Sequence, residues 1–159
     1  MIDDTDRAIL DLLQTDARIP NAEIARRVGL APSAIFQRIR KLEEQEVILG
    51  YTTRLNSKAL GYRMVAFVMV QTSSGAHAPD VTCQLSAIEE VTEVHRVVGE
   101  DCFFLKVRVR DPAALETLLD QKIQTLPSVA STKTTIVLST GKESTALPLT
   151  SDLHCPDTA

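Results

Sequence analysis

The sequence predicts an α+β chain in two parts, three short helices followed by a half in the order βαββαβ, and three observations carry this reading. Up to residue 45 the apolar residues recur at helical spacing and are interrupted at Gly29 and Pro32. From residue 63 the period changes to that of strands, in runs at 63–72, 91–98, 102–110 and 129–138. Two amphipathic stretches of helical period, at 80–90 and from Pro112 onward, separate the first pair of runs and the last pair.

Each element has a local reason. Asp3, Asp4 and Thr5 can cap a first helix whose apolar positions are Ile9, Leu12 and Leu13, and Asp16 to Pro20 ends it. Asn21 is expected to cap a second helix with Ile24, Ala25 and Val28 on its apolar face, and Gly29 follows where a left-handed residue is wanted. Pro32 suits the first position of a third helix, striped by Ile35, Ile39 and Leu42 and ending near Gln45. Residues 47–55 are rich in β-branched and aromatic side chains around Gly50, which suits a small hairpin or wing, and 56–61 reads as a turn or short linker helix. In the second half, Val81, Leu85 and Ile88 mark the buried side of one helix, and Leu115, Leu118, Leu119 and Ile123 that of the other. Phe103, Leu105, Val107 and Val109 alternate with Lys106, Arg108 and Arg110, so one side of that strand is buried. This order is the ferredoxin-like split unit, an antiparallel sheet with two helices on one face. The expected divisions are 1–55 for the winged helix-turn-helix, 56–62 for a linker, 63–140 for the βαββαβ domain and 141–159 for a polar, proline-broken tail.

Composition narrows the classes. The chain has 159 residues, 44% of them apolar, enough for two small cores. No long apolar run appears and the start Met-Ile-Asp-Asp-Thr-Asp lacks the basic flank and apolar stretch of a signal peptide, so a cytoplasmic protein without membrane partners is expected. Cys83, Cys102 and Cys155, like His77, His95 and His154, are scattered without zinc or redox spacing, so no metal or other cofactor is expected. A net charge of -4 hides an uneven distribution. Residues 26–41 hold Arg26, Arg27, Arg38, Arg40 and Lys41 with no acidic residue, between acidic flanks.

That basic stretch contains the third helix, the one that enters the major groove in a helix-turn-helix. At about 100° per residue, with Ile35, Ile39 and Leu42 inward, Ser33, Gln37, Arg40, Lys41 and Glu44 fall on the far side. Ala34 lies near them, with Phe36 and Arg38 flanking. Gln37 can pair with an adenine edge, Ser33 with a base or phosphate, and Arg40 and Lys41 with phosphates. Arg38 leans toward the core edge, where a structural salt bridge competes with a DNA contact. Any exposed helix face is rich in such residues, so spacing alone leaves a solvated surface as the alternative.

The chain resembles the Lrp/AsnC family of leucine-responsive, or feast/famine, regulators in four stretches: Asp6-Arg7-Ala8-Ile9-Leu10, Ala22-Glu23-Ile24-Ala25-Arg26-Arg27-Val28-Gly29-Leu30, Arg38-Ile39-Arg40-Lys41-Leu42-Glu43 and Val47-Ile48-Leu49-Gly50-Tyr51. The resemblance implies a winged DNA-binding domain and a βαββαβ sensor domain that dimerises through its sheet. It further implies assembly of dimers into larger rings, with an octamer plausible, and an amino-acid effector bound between dimers. Three positions depart from the family pattern: Ala31 replaces a capping serine, Glu46 a glycine, and Cys102 an aspartate in the sensor turn, with Asp101 one residue earlier.

A zwitterionic effector needs carboxylates for its ammonium, donors for its carboxylate and an apolar pocket. The turn supplies Glu100 and Asp101, a close backbone approach at Gly99 and turn amides, and Cys102 is a small strand residue beside it. Thr132 and Thr134 share one face of the last strand by alternation, which matches positions that the resemblance places near the effector. Without the resemblance the same turn reads as a solvated acidic hairpin. A sequence-specific, effector-responsive transcriptional regulator is therefore the leading expectation. An architectural DNA-wrapping protein without effector and an amino-acid-sensing regulatory subunit of a metabolic enzyme are the alternatives. No nucleophile with its base and no phosphate loop is present, so the chain is not expected to be an enzyme.

Overall fold

The computed structural model describes residues 2–73, 78–98 and 103–149. They fall into two compact units, one running to Arg54 and including the described residues from Glu143 on, the other from Leu55 to Lys142.

The first unit holds α1 (Asp4–Thr15), α2 (Asn21–Val28) and α3 (Pro32–Glu44). Asp3 caps α1 reciprocally with Asp6: the Asp6 N–H donates to Asp3 Oδ1 at 2.8 Å and the Asp3 N–H to Asp6 Oδ2 at 3.2 Å. Pro20, not Asn21, is the N-cap of α2, so the expected Asn21 cap is corrected: the proline ends the preceding segment in extended backbone and Asn21 is already helical. Gly29 takes φ 77°, and its N–H and that of Leu30 both reach the Ala25 carbonyl, at 2.9 and 3.1 Å. Ile9, Ile24, Ala25, Ile35 and Ile39 form the core between the helices.

The hairpin expected at 47–55 does not form: these residues contain no strand. The β-branched pair Val47-Ile48 is instead tied back to α3, both amides donating to the Leu42 carbonyl at 2.9 and 3.1 Å, and Ile48 packs on the helical core. The amides of Val47 and Ile48 are thereby taken out of any hairpin ladder. Residues 143–149, expected as part of a loose tail, belong to this unit, where Leu147 donates to Gln14 Oε1 at 2.7 Å and accepts from Gln14 Nε2 at 3.1 Å.

Glu46 takes φ 56°, the left-handed backbone that disfavours a Cβ. Replacing Glu46 by glycine is expected to stabilise the first unit by roughly 0.5–1 kcal/mol, since relief of that strain exceeds the entropy of the freer unfolded chain. A thermal melt showing no rise, or a fall, would contradict this.

The second unit contains β1 (Met64–Thr72), α4 (Ala78–Ser86), β2 (Val91–Arg96), β3 (Phe103–Val109), α5 (Pro112–Thr117) continued by a π-helical turn over Leu118–Ile123, and β4 (Val129–Ile136). The four strands form one antiparallel sheet in the order β2-β3-β1-β4, as the split unit requires. Ala66, Val68 and Val70 of β1 and Phe103, Leu105, Val107 and Val109 of β3 face α4 and α5 and bury Val81, Leu85, Leu115, Leu118 and Ile123 with them. The π-helical turn is what brings Leu118 and Ile123, five residues apart, onto the same buried side. α4 stops short of the expected residue 90: the Ile88 N–H bonds Leu85 three residues back, which tightens and ends the helix while Ile88 still packs on the core.

The opposite face of the sheet is built from the alternate residues. Phe67 and Phe104 stack there with ring centroids 5.1 Å apart, Val65 and Met69 flank them, and Lys106 is ion-paired to Glu93 at 2.8 Å. At one end Arg108 donates to Ser57 Oγ at 3.2 Å, tying the turn at 57–61 to this unit.

Candidate nucleic-acid interface

The glycine turn after α2 and Pro32 at the first position of α3 set the direction in which α3 leaves the core. Ala31, extended at φ -71° and ψ 145°, provides no side-chain cap, so the entry rests on the proline and on the Ala31 carbonyl, which accepts from Ala34 and Ile35. With Ile35, Ile39 and Leu42 buried, the far side of α3 presents Ser33, Gln37, Arg40, Lys41 and Glu44 to solvent, with Ala34 half-buried at its edge. The helical wheel thus places Ser33, Ala34, Gln37, Arg40 and Lys41 together as expected.

The electrostatics of this surface are not those of five free cations. Glu23 holds both arginines of α2: its Oε1 accepts from Arg26 Nη2 at 2.8 Å and from Arg27 Nε at 2.7 Å, and its Oε2 from Arg26 Nε at 2.9 Å. Those hydrogen bonds, Arg26 first, hold the Glu23 carboxyl down to about 2. Arg40 is bonded to Glu44 one turn on, at 2.9 Å. Arg38 Nη1 bridges Asp3 Oδ2 and Asp6 Oδ1, each at 2.7 Å. Asp6 is 7% exposed, so Arg38 neutralises a buried carboxylate and pins α3 to the capping box of α1. The Arg38 hydrogen bond also holds Asp3 below the usual carboxylate range. Of the five basic residues, Lys41 is the one without an acidic partner among the described residues. The spacings of Glu23 to Arg26 and Arg27 and of Arg40 to Glu44 are legible as helical neighbours. The Arg38 clamp spans 32 residues to Asp6 and has no such local signal.

Sequence reasoning left Phe36 at the flank. In the structure it is 52% exposed, on the solvent side of α3 between Ser33 and Arg40. Tyr51 anchors the segment after α3, donating its hydroxyl to Glu43 Oε1 at 3.0 Å.

Of the expected effector residues, Gly99, Glu100, Asp101 and Cys102 lie outside the described residues. Thr132 and Thr134 sit on one face of β4, opposite Val70 and Val68 and therefore on the helix-covered side, both half-buried. Thr132 Oγ1 accepts from Gln124 Nε2 at 3.2 Å. No cluster of three or more metal-ligating side chains occurs among the described residues, and no described helix is long and apolar enough to cross a membrane.

Residues 2–43 match the model of the AsnC-type helix-turn-helix domain and residues 65–147 that of the Lrp/AsnC ligand binding domain. The HTH-type transcriptional regulator FL11 of Pyrococcus abyssi is 40% identical over 148 residues, 93% of this chain and 97% of the relative. The leucine-responsive regulatory protein of Salmonella typhimurium is 41% identical over 150 residues, 92% of this chain and 90% of the relative. Among solved structures, the feast or famine regulatory protein of M. tuberculosis complexed with L-methionine superimposes with a TM-score of 0.85 at 36% identity, covering 92% of this chain and 99% of that one.

Proposed function

This chain belongs to the Lrp/AsnC family of transcriptional regulators, and from that premise we propose that it binds double-stranded DNA at promoters or operators through α3 and responds to an amino-acid effector by a change in DNA affinity or oligomerisation. The observation that carries the DNA half is the presented face of α3, polar and basic on a helix set by a glycine turn and a proline, in a segment matched by the helix-turn-helix model. Gln37 reads a base edge, Ser33 a base or phosphate with Ala34 against the groove wall, and Arg40 and Lys41 hold phosphates. Arg38 acts on the DNA through the position it gives α3. As a member of a family of regulators, the chain is not an enzyme.

The effector half is supported by the match to a ligand binding domain and by the methionine bound in the M. tuberculosis relative. Gly99, Glu100, Asp101 and Cys102 would meet the zwitterion's charged ends, with Thr132 and Thr134 near its site, between dimers. Those dimers form through the sheet face that carries Phe67 and Phe104, whose apolar residues need a partner's cover, and they assemble further into a larger oligomer.

Thermal-shift measurement of the full chain against the proteinogenic amino acids tests the effector reading, because a ligand bound by the folded state alone raises stability by about 2.7 kcal/mol at a hundredfold excess over Kd. One or a few amino acids should raise Tm. If none does at millimolar concentration, the effector half fails. Within the responding protein, Asp101→Asn should weaken the amino acid's binding while leaving DNA affinity in its absence unchanged, and undiminished binding in a calorimetric titration would move the site elsewhere.

A further inference from the structure

We infer that Phe36 is a specificity-determining residue that reads thymine, its ring packing on a 5-methyl group in the major groove within the half-site read by Gln37. The inference rests on α3 being the DNA-contacting helix and goes further, assigning to one side chain the thymine methyl group, which the polar residues of α3 cannot recognise by hydrogen bonding.

Phe36 is 52% exposed although Ile35, beside it, is fully buried, so its ring is not part of the core of the first unit. Single exposed apolar side chains are ordinary on protein surfaces. What sets this one apart is its position. It is the fifth residue of α3, in the N-terminal part from which a recognition helix reaches base edges. Ser33, three residues before, and Arg40, four after, share its side of the helix, so the ring lies among groups suited to a polyanion rather than within an apolar patch suited to a protein partner. Arg40 does not stack on the ring: its guanidinium is turned to Glu44 at 2.9 Å, and the cation–π contact found among the described residues is Arg110 over Tyr62. The face of Phe36 is thus available to a ligand.

Major-groove chemistry limits what that ligand is. Of the four bases thymine alone carries a methyl group there, and phenylalanine is one of the side chains suited to it. Gln37 follows directly, about 100° around and 1.5 Å along the helix, so the ring and the amide leave the same turn of α3 in different directions and meet different bases. The pair therefore selects adenine through the amide of Gln37 and thymine through the ring of Phe36 within one half-site.

Uracil substitution separates the methyl from everything else, since deoxyuridine keeps the pairing edge of thymine and lacks only that group. The full chain would first enrich a duplex from a random library, and each thymine of that duplex would then be replaced in turn. At one thymine per half-site the wild type should bind about fourfold more weakly, the value of one buried methyl group. Phe36→Ala should bind the thymine duplex about fourfold or more weaker and should not distinguish thymine from uracil at that position, while Phe36→Leu should retain part of the distinction. Equal uracil sensitivity in the wild type and in Phe36→Ala would overturn the inference, as would a wild type indifferent to uracil at every position. The scan of the wild type stands even if a variant folds poorly. Failure to enrich any sequence would overturn the DNA-reading assignment of α3 as well, whereas an enriched but uracil-insensitive site overturns the role of Phe36 alone.

Discussion

Arg38→Ala is expected to destabilise the first unit by about 1–3 kcal/mol and to weaken binding to all duplexes alike without lowering its dependence on salt. The variant leaves Asp6, 7% exposed, as a buried carboxylate whose remaining side-chain bond is to the Asp3 amide at 3.2 Å, and removing one partner from a hydrogen-bonded charge exposes the other's desolvation cost. The clamp also fixes α3 against α1. Lys41→Ala should behave oppositely, with unchanged stability and a slope of log affinity against log salt reduced by about one unit, the signature of a lost phosphate contact. Chemical denaturation and salt titrations of both variants separate the roles. A reduced salt slope at full stability for Arg38→Ala would assign it to the DNA backbone. Asp6→Asn combined with Arg38→Ala should recover part of the lost stability, because the stranded charge is gone.

Phe67→Asp is expected to turn the proposed oligomer into a monomer at micromolar concentration. Phe67 and Phe104 stack at 5.1 Å on the sheet face opposite α4 and α5, so the substitution leaves the core of the second unit untouched. In the proposed dimer it removes an aromatic anchor and places a carboxylate where water is excluded, a loss of about 3 kcal/mol or more and over a hundredfold in Kd. Sedimentation equilibrium of the full-length variant, with circular dichroism to confirm the fold, reads this directly. A variant sedimenting as the wild type does would place the interface on another face.

The parts legible in the sequence are those set by neighbours along the chain. Gly29 and Pro32 mark the turn into α3, and the alternation from Phe103 to Val109 identifies the buried side of β3, because backbone conformation and side-chain direction follow from residue type and period. The misreadings arose where a particular hydrogen bond or ion pair overrode the local pattern. Residues 47–55 carry strand-forming side chains, yet the Leu42 carbonyl takes the Val47 and Ile48 amides and no ladder forms. Leu147 looked like tail until Gln14 paired with its backbone. The basic stretch was read as a sum of charges, whereas Glu23, Asp3, Asp6 and Glu44 neutralise most of it in place, two of these acids lying far from their arginine in sequence. Phe36 falls at the flank of the polar face by its angle on the helix, and its 52% exposure depends on how the other helices pack beside α3, which the sequence period does not carry.

The proposed function requires one chain to couple sequence-specific DNA binding to an amino acid. Its most direct test is the affinity of the full-length protein for its enriched duplex and for a scrambled duplex of equal length, across a series of salt concentrations, with and without the amino acid that raises Tm. Specific binding is expected to be about a thousandfold or more tighter than scrambled at physiological salt, and the added amino acid is expected to shift affinity by about 5- to 150-fold or to change oligomer size. Equal affinity for the two duplexes, with neither affinity nor oligomer size moved by any amino acid, would contradict it.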